Sequence, residues 1–145
     1  MNGYSKIAEM LMEKSFELDI ELNAQNGVGY SAFHLACLNG HSKIAEILMQ
    51  KSAELNIELN SRNKDGLTAF HIACRWRETI IFKMMVLNSE YLKLDLTAED
   101  YLGRTGFELA KSWLTKDCEI YDLIKSLVPD IDILFEESDP ILMEL

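Results

Sequence analysis

The chain has few cysteines, few basic residues and no long apolar run. Three of its 145 residues are cysteine, an odd and small number for a secreted protein of this size. No apolar run approaches the roughly 18 residues of a transmembrane helix, and glutamates interrupt the first apolar stretch, unlike the core of a signal peptide. These shortages predict an intracellular protein, cytoplasmic or also nuclear, that is not embedded in a membrane.

Basic residues are too few to form a surface for nucleic acid. The chain has 14 Lys and Arg against 24 Asp and Glu, a net charge of −10. Six of the acids and none of the bases lie in residues 130–145, which leaves a nearly balanced body. Neither part offers the basic stripe that phosphate groups require. Nucleic acid and anionic membrane are therefore not expected as partners.

What the chain does contain is a repeat with a period of 37 residues. Residues 2–26 and 39–63 are identical at 18 of 25 aligned positions without a gap. A second block, residues 29–37, recurs at 66–74 and more weakly at 103–110. A fixed period of about 20–50 residues is typical of a stacked solenoid, in which no unit buries its apolar face alone. Solenoids present binding surfaces far more often than they perform chemistry.

Each unit reads as a short helix, a tight link, a longer helix and a polar hairpin-like link. Thr68 is placed to cap a first helix, and Gly40 can adopt the positive φ of a helix stop. From Ser42 onward the apolar face comprises Ile44, Ile47, Leu48 and Leu55, and the solvated face comprises Lys43, Glu46, Gln50, Lys51 and Glu54. The pattern predicts an all-α stack with helix pairs at about 29–65 and 66–102, a lone second helix before residue 23 and an irregular pair from about 103 to 128.

Two segments of the repeat resemble a known family. The runs Ser31-Ala32-Phe33-His34-Leu35-Ala36 and Thr68-Ala69-Phe70-His71-Ile72-Ala73 are similar to the Thr-Pro-Leu-His-x-Ala signature of ankyrin repeats. Residues 39–48 resemble the Gly-His link and second helix of that family. The resemblance covers about residues 2–128, about three and a half repeats. It implies an ankyrin-type solenoid of helix-turn-helix units joined by hairpin-like links.

The chain departs from the family pattern in three ways. Ala32 and Ala69 replace the usual proline, and Glu108 replaces the histidine in the last unit. Each unit is also about four residues longer than the usual repeat of about 33. Four residues are close to one helical turn. The second helix is therefore predicted to reach at least Ala53 without rotating its apolar face.

The repeats divide the chain into a single domain and a terminal segment. The domain spans residues 1–132, with a half repeat at 1–28 and repeats at 29–65, 66–102 and 103–132. The chain begins inside a unit, so the helix that carries Ile7, Met10 and Leu11 lacks a neighbour on one side. This favours a fragment of a longer array. The alternative is a self-contained protein whose open N-terminal repeat face pairs with another chain or with itself.

The terminal segment, residues 133–145, is both acidic and hydrophobic. One interpretation is a cap, in which the last repeat is covered by Ile131, Ile133, Leu134 and Phe135. A second is a linear motif that folds on a partner. A third is continuation into a further repeat.

The spacing of His34, Cys37 and His41 could suggest a metal site, but the repeat argues against it. His41 becomes Glu78 one period later, and zinc needs four convergent ligands or three and a water. The ankyrin resemblance implies instead that His34 forms hydrogen bonds to neighbouring turns. No metal or cofactor is expected.

Catalytic chemistry is also not expected. Cys37 recurs as Cys74 one unit later, which indicates a packing role rather than an exposed thiolate nucleophile. Gly27 and Gly29 lie in a link and not in a phosphate-binding loop. The sequence therefore predicts a protein that is not an enzyme.

The resemblance implies a concave partner-binding face formed by link tips and by the ends of the first helices. Carried over by register, the candidate positions are Val28, Tyr30, Leu38, Asn39, Lys64, Asp65, Leu67, Arg75, Trp76, Tyr101, Leu102, Arg104, Ser112 and Trp113. The expected function is a non-enzymatic adaptor, scaffold or inhibitor that binds another protein. The alternative is a structural spacer within a longer array.

Trp76 is the strongest candidate contact on this face. The run Arg75-Trp76-Arg77-Glu78 stands where the previous unit has Leu38-Asn39-Gly40-His41, so the helix-stop glycine is lost. Tryptophan is also over-represented among residues that dominate binding energy. We expect Trp76 to bind the partner with help from Arg75 and Trp113. The alternative is that either indole folds back over the inter-helix link.

Overall fold

The computed structural model describes residues 3–136, which form helices and turns with one isolated antiparallel bridge between Glu99 and Thr105. In chain order the helices are α1 (Gly3–Glu13), α2 (Ala32–Leu38), α3 (Ser42–Leu55), α4 (Ala69–Arg75), α5 (Thr79–Leu92), α6 (Gly106–Ala110), α7 (Tyr121–Leu127), a 3-10 helix (Pro129–Asp132) and α8 (Ile133–Glu136). The predicted all-α stack is confirmed.

The helices form two layers. In one layer α4 packs between α2 and α6, and in the other α1, α3, α5 and α7 pack in sequence. The first unit supplies only α1, and each of the three later units supplies one helix to each layer, so the apolar core continues from unit to unit. Phe70 on α4 illustrates this, because its ring lies 5.7 Å from that of Phe82 on α5 and 5.2 Å from that of Phe107 on α6.

The first helices begin at polar caps, of which Thr68 was predicted from the sequence. The side chains of Ser31 and Thr68 each accept a hydrogen bond from the amide three residues later, where His34 and His71 close a capping box. Thr105 caps α6 in the same way, with Glu108 in the histidine's place. A capping side chain satisfies amides that the first turn of a helix leaves unpaired.

The two capping histidines also join neighbouring units. His34 Nδ1 accepts from the Ser31 amide at 3.1 Å, and Nε2 donates to the carbonyl of Leu67 at 3.0 Å. His71 Nε2 donates in the same manner to the carbonyl of Arg104 at 2.9 Å. Burial lowers the pKa of both rings and outweighs these hydrogen bonds. The neutral tautomer protonated at Nε2 therefore bridges successive units.

The second helices carry the predicted extra turn. Both α3 and α5 are 14 residues long, and α3 ends at Leu55, beyond Ala53. Leu48 on α3 is buried, whereas Glu54 is exposed. The assignment of these two residues to opposite helix faces is confirmed, as is the prediction that α3 reaches at least Ala53.

The N-terminal side of α1 is an open apolar face. Ile7, Met10 and Leu11 are exposed, although the equivalents of the last two, Ile47 and Leu48, are buried in the next unit. The expected lack of a neighbour at this face is confirmed for the described residues. Asn2, which supported the alignment of the first link, lies outside them.

The described part of the terminal segment packs on α7. Ile131 is buried, and the ring of Phe135 lies 5.7 Å from that of Tyr121. Hydrogen bonds from Lys125 and Tyr121, each 2.5 Å long, lower the pKa of Asp132 to about 2.

These contacts agree with a cap that is formed by residues 129–136, with one correction. Ile133 is exposed and covers nothing, because the adjoining 3-10 helix directs Ile131, not Ile133, into the core. Residues 137–145, which the linear-motif and continuation alternatives involve, lie outside the described residues.

Candidate partner-binding surface

The three hairpin-like links are closed by the same pattern of side-chain to main-chain hydrogen bonds. Asn26 Oδ1 accepts hydrogen bonds from the amides of Val28 and Tyr30, at 3.1 and 2.9 Å. Asn63 and Asp100, at the same place in the next two links, accept two amides each in the same pattern. A short polar side chain that binds amides two and four residues on fixes a tight turn. Each link therefore presents a defined tip.

Main-chain hydrogen bonds join the tips into a ridge. The Lys64 amide donates to the carbonyl of Val28 at 3.2 Å, and the Tyr101 amide donates to that of Asp65 at 3.1 Å. The Tyr101 ring also lies against Gly66, where an added Cβ would come within 2.6 Å of its Cδ1 atom. Glycine at position 66 is thus required for the close approach of the second and third tips.

Most of the predicted tip residues are accessible on this ridge. Val28, Lys64, Asp65, Tyr101 and Leu102 are exposed, and Tyr30 is half-buried.

Leu67 contradicts the sequence prediction. Its side chain is 5% exposed, because the residue that precedes the Thr68 cap points into the core beneath α4. It cannot contribute surface to a partner in this structure.

Arg104, also a predicted contact, is engaged with its own link. Its Nε and Nη2 atoms donate to Asp100 Oδ2 at 3.0 and 2.8 Å. The Asp100 side chain is only 1% exposed. Burial acts to raise the pKa of Asp100, but the hydrogen bonds from Arg104 and from the Leu102 amide outweigh it and lower the pKa. The half-buried Arg104 stabilises the third link and offers a partner only part of its surface.

At the ends of the first helices, Trp76 dominates the accessible surface. It is the C-cap residue of α4, and its side chain is 56% exposed. The guanidinium carbon of Arg75 lies 5.7 Å from the ring centroid of Trp76, within cation–π range. At this end of the other first helices Asn39 and Ser112 are exposed and Leu38 is half-buried.

Trp113 does not share this exposure, although it occupies the same place one unit later. Its Nε1 atom donates to the carbonyl of Cys74 at 2.7 Å, and its ring lies 5.1 Å from that of Phe82. Helix α6 ends at Ala110, two residues earlier in register than α4. The chain turns at that point and brings the indole back onto the core. Trp113 therefore follows the alternative in which the indole folds back over the structure instead of facing a partner.

The lost helix-stop glycine has a measurable backbone consequence. Gly40 has φ +67° after α2, and Arg77 has φ +55° at the same place after α4. A residue with a side chain is strained in this left-handed region by about 1–2 kcal/mol. The strain lies next to Trp76.

The site offers little for catalysis or metal binding. Burial raises the pKa of the thiols of Cys37 and Cys74, with a smaller contribution to the former from the charge of Glu78, so both are poor nucleophiles. Within residues 3–136 no three His, Cys, Asp or Glu side chains are grouped to hold a metal ion. In the same part of the chain no helix is long and apolar enough to cross a membrane.

Sequence reasoning missed a second set of side chains that joins the units. Asn23 donates to the carbonyl of Asn56 and accepts from the amide of Glu58, both at 2.8 Å. Asn60 makes the same pair of bonds one unit later, to Lys93 and Asp95. The identity of Asn23 and Asn60 at the 37-residue spacing was the available signal.

Comparison with known proteins agrees with this architecture. No curated protein sequence shows significant similarity to the chain. A family model described as ankyrin repeats (3 copies) matches residues 1–100, which is more than half of the chain. The chain therefore belongs to the ankyrin-repeat family, whose members are generally non-enzymatic protein–protein interaction modules.

Proposed function

We propose that the chain is an adaptor, scaffold or inhibitor that holds a partner protein on the concave face of its stack, with Trp76 as the principal contact. The observation that carries the proposal is the exposure of this indole beside a strained helix stop. A tryptophan that is 56% exposed has apolar surface available for burial. Such residues supply much of the binding energy of protein interfaces.

The surroundings of Trp76 favour a binding role. Arg75 lies over the indole, and its guanidinium can donate to a carboxylate in a forked pair. The positive φ of Arg77 is strain that glycine would remove. Asp19, Asn56 and Lys93 have a similar positive φ, so the exposure of Trp76 beside Arg75, and not the strain alone, supports a role for this link.

The ridge of link tips supplies a second, rigid area of contact. Tyr101 and Leu102 are both exposed at its third tip, beside the charged pair Lys64 and Asp65 at the second. The tips are joined by main-chain hydrogen bonds, so they are already ordered before a partner binds. Binding therefore costs little conformational entropy in the links. We infer a partner segment with apolar side chains flanked by acidic groups.

The test is a quantitative capture experiment with the purified chain as bait. We expect Trp76→Ala and Arg75→Ala to lose proteins that the unaltered chain retains. Glu54→Ala, an exposed change on the outer helix layer, is the matched control and should retain them. Equal capture by all baits would place the contact elsewhere. Absence of specific capture by the unaltered chain would favour the spacer alternative.

A further inference from the structure

Helix α5 has an exposed apolar stripe at positions that are polar in the two preceding units. Ile80, Leu87 and Tyr91 are 65%, 61% and 85% exposed, and Met84 between them is half-buried. Their spacing of i, i+4, i+7 and i+11 places them in one line along the helix, over roughly 17 Å. The opposite side of α5 is buried in the core through Ile81, Phe82, Met85, Val86 and Ser89. A helix that is apolar on both sides is normally covered on both.

The repeat itself provides the comparison that makes this stripe unusual. The positions of Ile80, Leu87 and Tyr91 are occupied in α3 by Lys43, Gln50 and Glu54. In the first unit they are occupied by Lys6 and Glu13 of α1 and by Glu17, which follows that helix. All six of these polar residues are exposed. Two of three equivalent helices thus present a solvated outer face. Only α5 replaces all three polar positions with large apolar residues.

We propose that this stripe is the contact between two copies of the chain, with α5 of one copy packed antiparallel on α5 of the other about a two-fold axis. In that arrangement the same patch serves both copies. Ile80 meets Tyr91 of the second copy, and Met84 meets Leu87. A groove of about 250 Å³ along the α3 side of the stripe, lined in part by Met49, Met84 and Tyr91, leaves room for side chains of the second helix.

Charge complementarity favours the second copy as the occupant. Lys83 and Glu90 lie on the flank of α5 that faces α7. They are seven residues apart, which is about two helical turns, so the two side chains point in nearly the same direction. A two-fold axis perpendicular to both helices reverses the direction of the second helix but leaves this flank on the same side of the dimer in both copies. It therefore places Lys83 beside Glu90 of the second copy, twice per dimer. A parallel pairing about a two-fold axis would instead place the flanks of the two copies on opposite sides, so Lys83 would not meet Glu90 of the second copy.

The intramolecular ion pair of Lys83 does not prevent this contact. Its Nζ atom lies 3.4 Å from a carboxylate oxygen of Glu119, and both side chains are substantially exposed. Such surface pairs are weak, so Lys83 can turn to a carboxylate of the second copy. The stripe lies on the layer of second helices, whereas Trp76 ends α4 in the other layer.

The first test is the oligomeric state, measured by analytical ultracentrifugation over a range of concentrations. We expect a monomer–dimer equilibrium for the unaltered chain. The triple variant Ile80→Lys, Leu87→Gln, Tyr91→Glu introduces the residues that α3 carries at these positions. It should remain folded by circular dichroism and should weaken dimerisation by at least about 100-fold. A chain that stays monomeric at about 0.5 mM would overturn the proposal, as would a triple variant that dimerises normally.

The second test uses charge reversal and does not depend on the triple variant. Glu90→Lys and Lys83→Glu should each weaken self-association on the order of tenfold, because each opposes like charges at two symmetric places. A mixture of the two variants should associate more tightly than either alone, since unlike charges then meet across the contact. Met10→Lys, on the open face of α1, is the control and should leave dimerisation unchanged. Sensitivity to Met10→Lys without a preference for the mixture would assign dimerisation to the open face and contradict the proposal.

Discussion

Replacing Arg77 with glycine should stabilise the protein. Arg77 has φ +55° where the previous unit has Gly40 at φ +67°. The left-handed backbone costs a residue with a side chain about 1–2 kcal/mol. Glycine removes that strain but makes the unfolded chain more flexible, at a cost of about 0.4–1 kcal/mol. The free energy of unfolding should therefore rise by about 0.5–1 kcal/mol.

The reverse change at the previous link provides the control. Gly40→Ala introduces the strain that Arg77 already bears, and its Cβ would meet Glu78 Oε2 at 2.9 Å. This carboxylate ends a flexible side chain and can move, so the expected loss is about 1–2 kcal/mol, mainly from the backbone.

Urea and thermal unfolding of the three proteins measure both effects. For a chain of this length Arg77→Gly should raise Tm by about 1–4 °C, and Gly40→Ala should lower it by at least as much. An unchanged or lower stability of Arg77→Gly would refute the reasoning. It would mean that the arginine side chain contributes more to the fold than its backbone strain costs.

Three further predictions concern packing and pH. Leu48→Ala should lower the free energy of unfolding by about 2–5 kcal/mol, because it leaves a cavity between units. The exposed change Glu54→Ala should lower it by less than about 0.5 kcal/mol. Equal losses for the two variants in urea unfolding would mean that the faces of α3 are misassigned. His34 and His71 have lowered pKa values, so stability should be full above about pH 6.5. It should fall on further acidification by at most about 1.4 kcal/mol per pH unit for each ring, and an equal Tm at about pH 7.5 and 5.5 would contradict this. Asp100→Asn keeps the turn but loses the ion pair, so at pH 7 the variant should have a lower free energy of unfolding than the unaltered chain. This difference should shrink as the pH falls below about 4, because the carboxylate of the unaltered chain is then protonated and its ion pair is lost as well. A difference that does not depend on pH would mean that it arises from packing.

The helices and their faces could be predicted because the same signals occur in successive units. The polar cap at Thr68, the glycine at position 40 and the apolar spacing of α3 are local features that act within one or two turns of helix. Tertiary packing agrees with these local preferences, so the predicted elements appear where the pattern places them. The extra turn followed from counting, because four added residues preserve the orientation of a helix face.

The candidate surface was less predictable because exposure depends on neighbours. Trp76 and Trp113 occupy equivalent positions, yet only Trp76 is exposed. The difference arises from the early end of α6, which depends on the irregular last unit and not on the residues around either tryptophan. Leu67 and Arg104 are similar cases, because register alone does not show whether a link residue points into the core or pairs with a buried Asp100.

The α5 stripe, in contrast, was visible in the sequence and was not interpreted. Aligning Ile80, Leu87 and Tyr91 with the polar residues of α3 needs only the 37-residue period. The resemblance to ankyrin repeats points to the concave face and gives no expectation for the outer face of α5.

The most direct test of the central claim is site-specific photo-crosslinking of the chain to the partner that it captures. A photoreactive residue is placed in turn at Ser112, near the end of the first-helix layer, and at Glu54 on the outer layer; both positions are exposed and tolerate substitution. The account predicts a crosslink to the partner from position 112 that disappears when Trp76→Ala is added, and none from position 54. A crosslink from position 54 alone would contradict it, because the partner would then lie on the convex side of the stack.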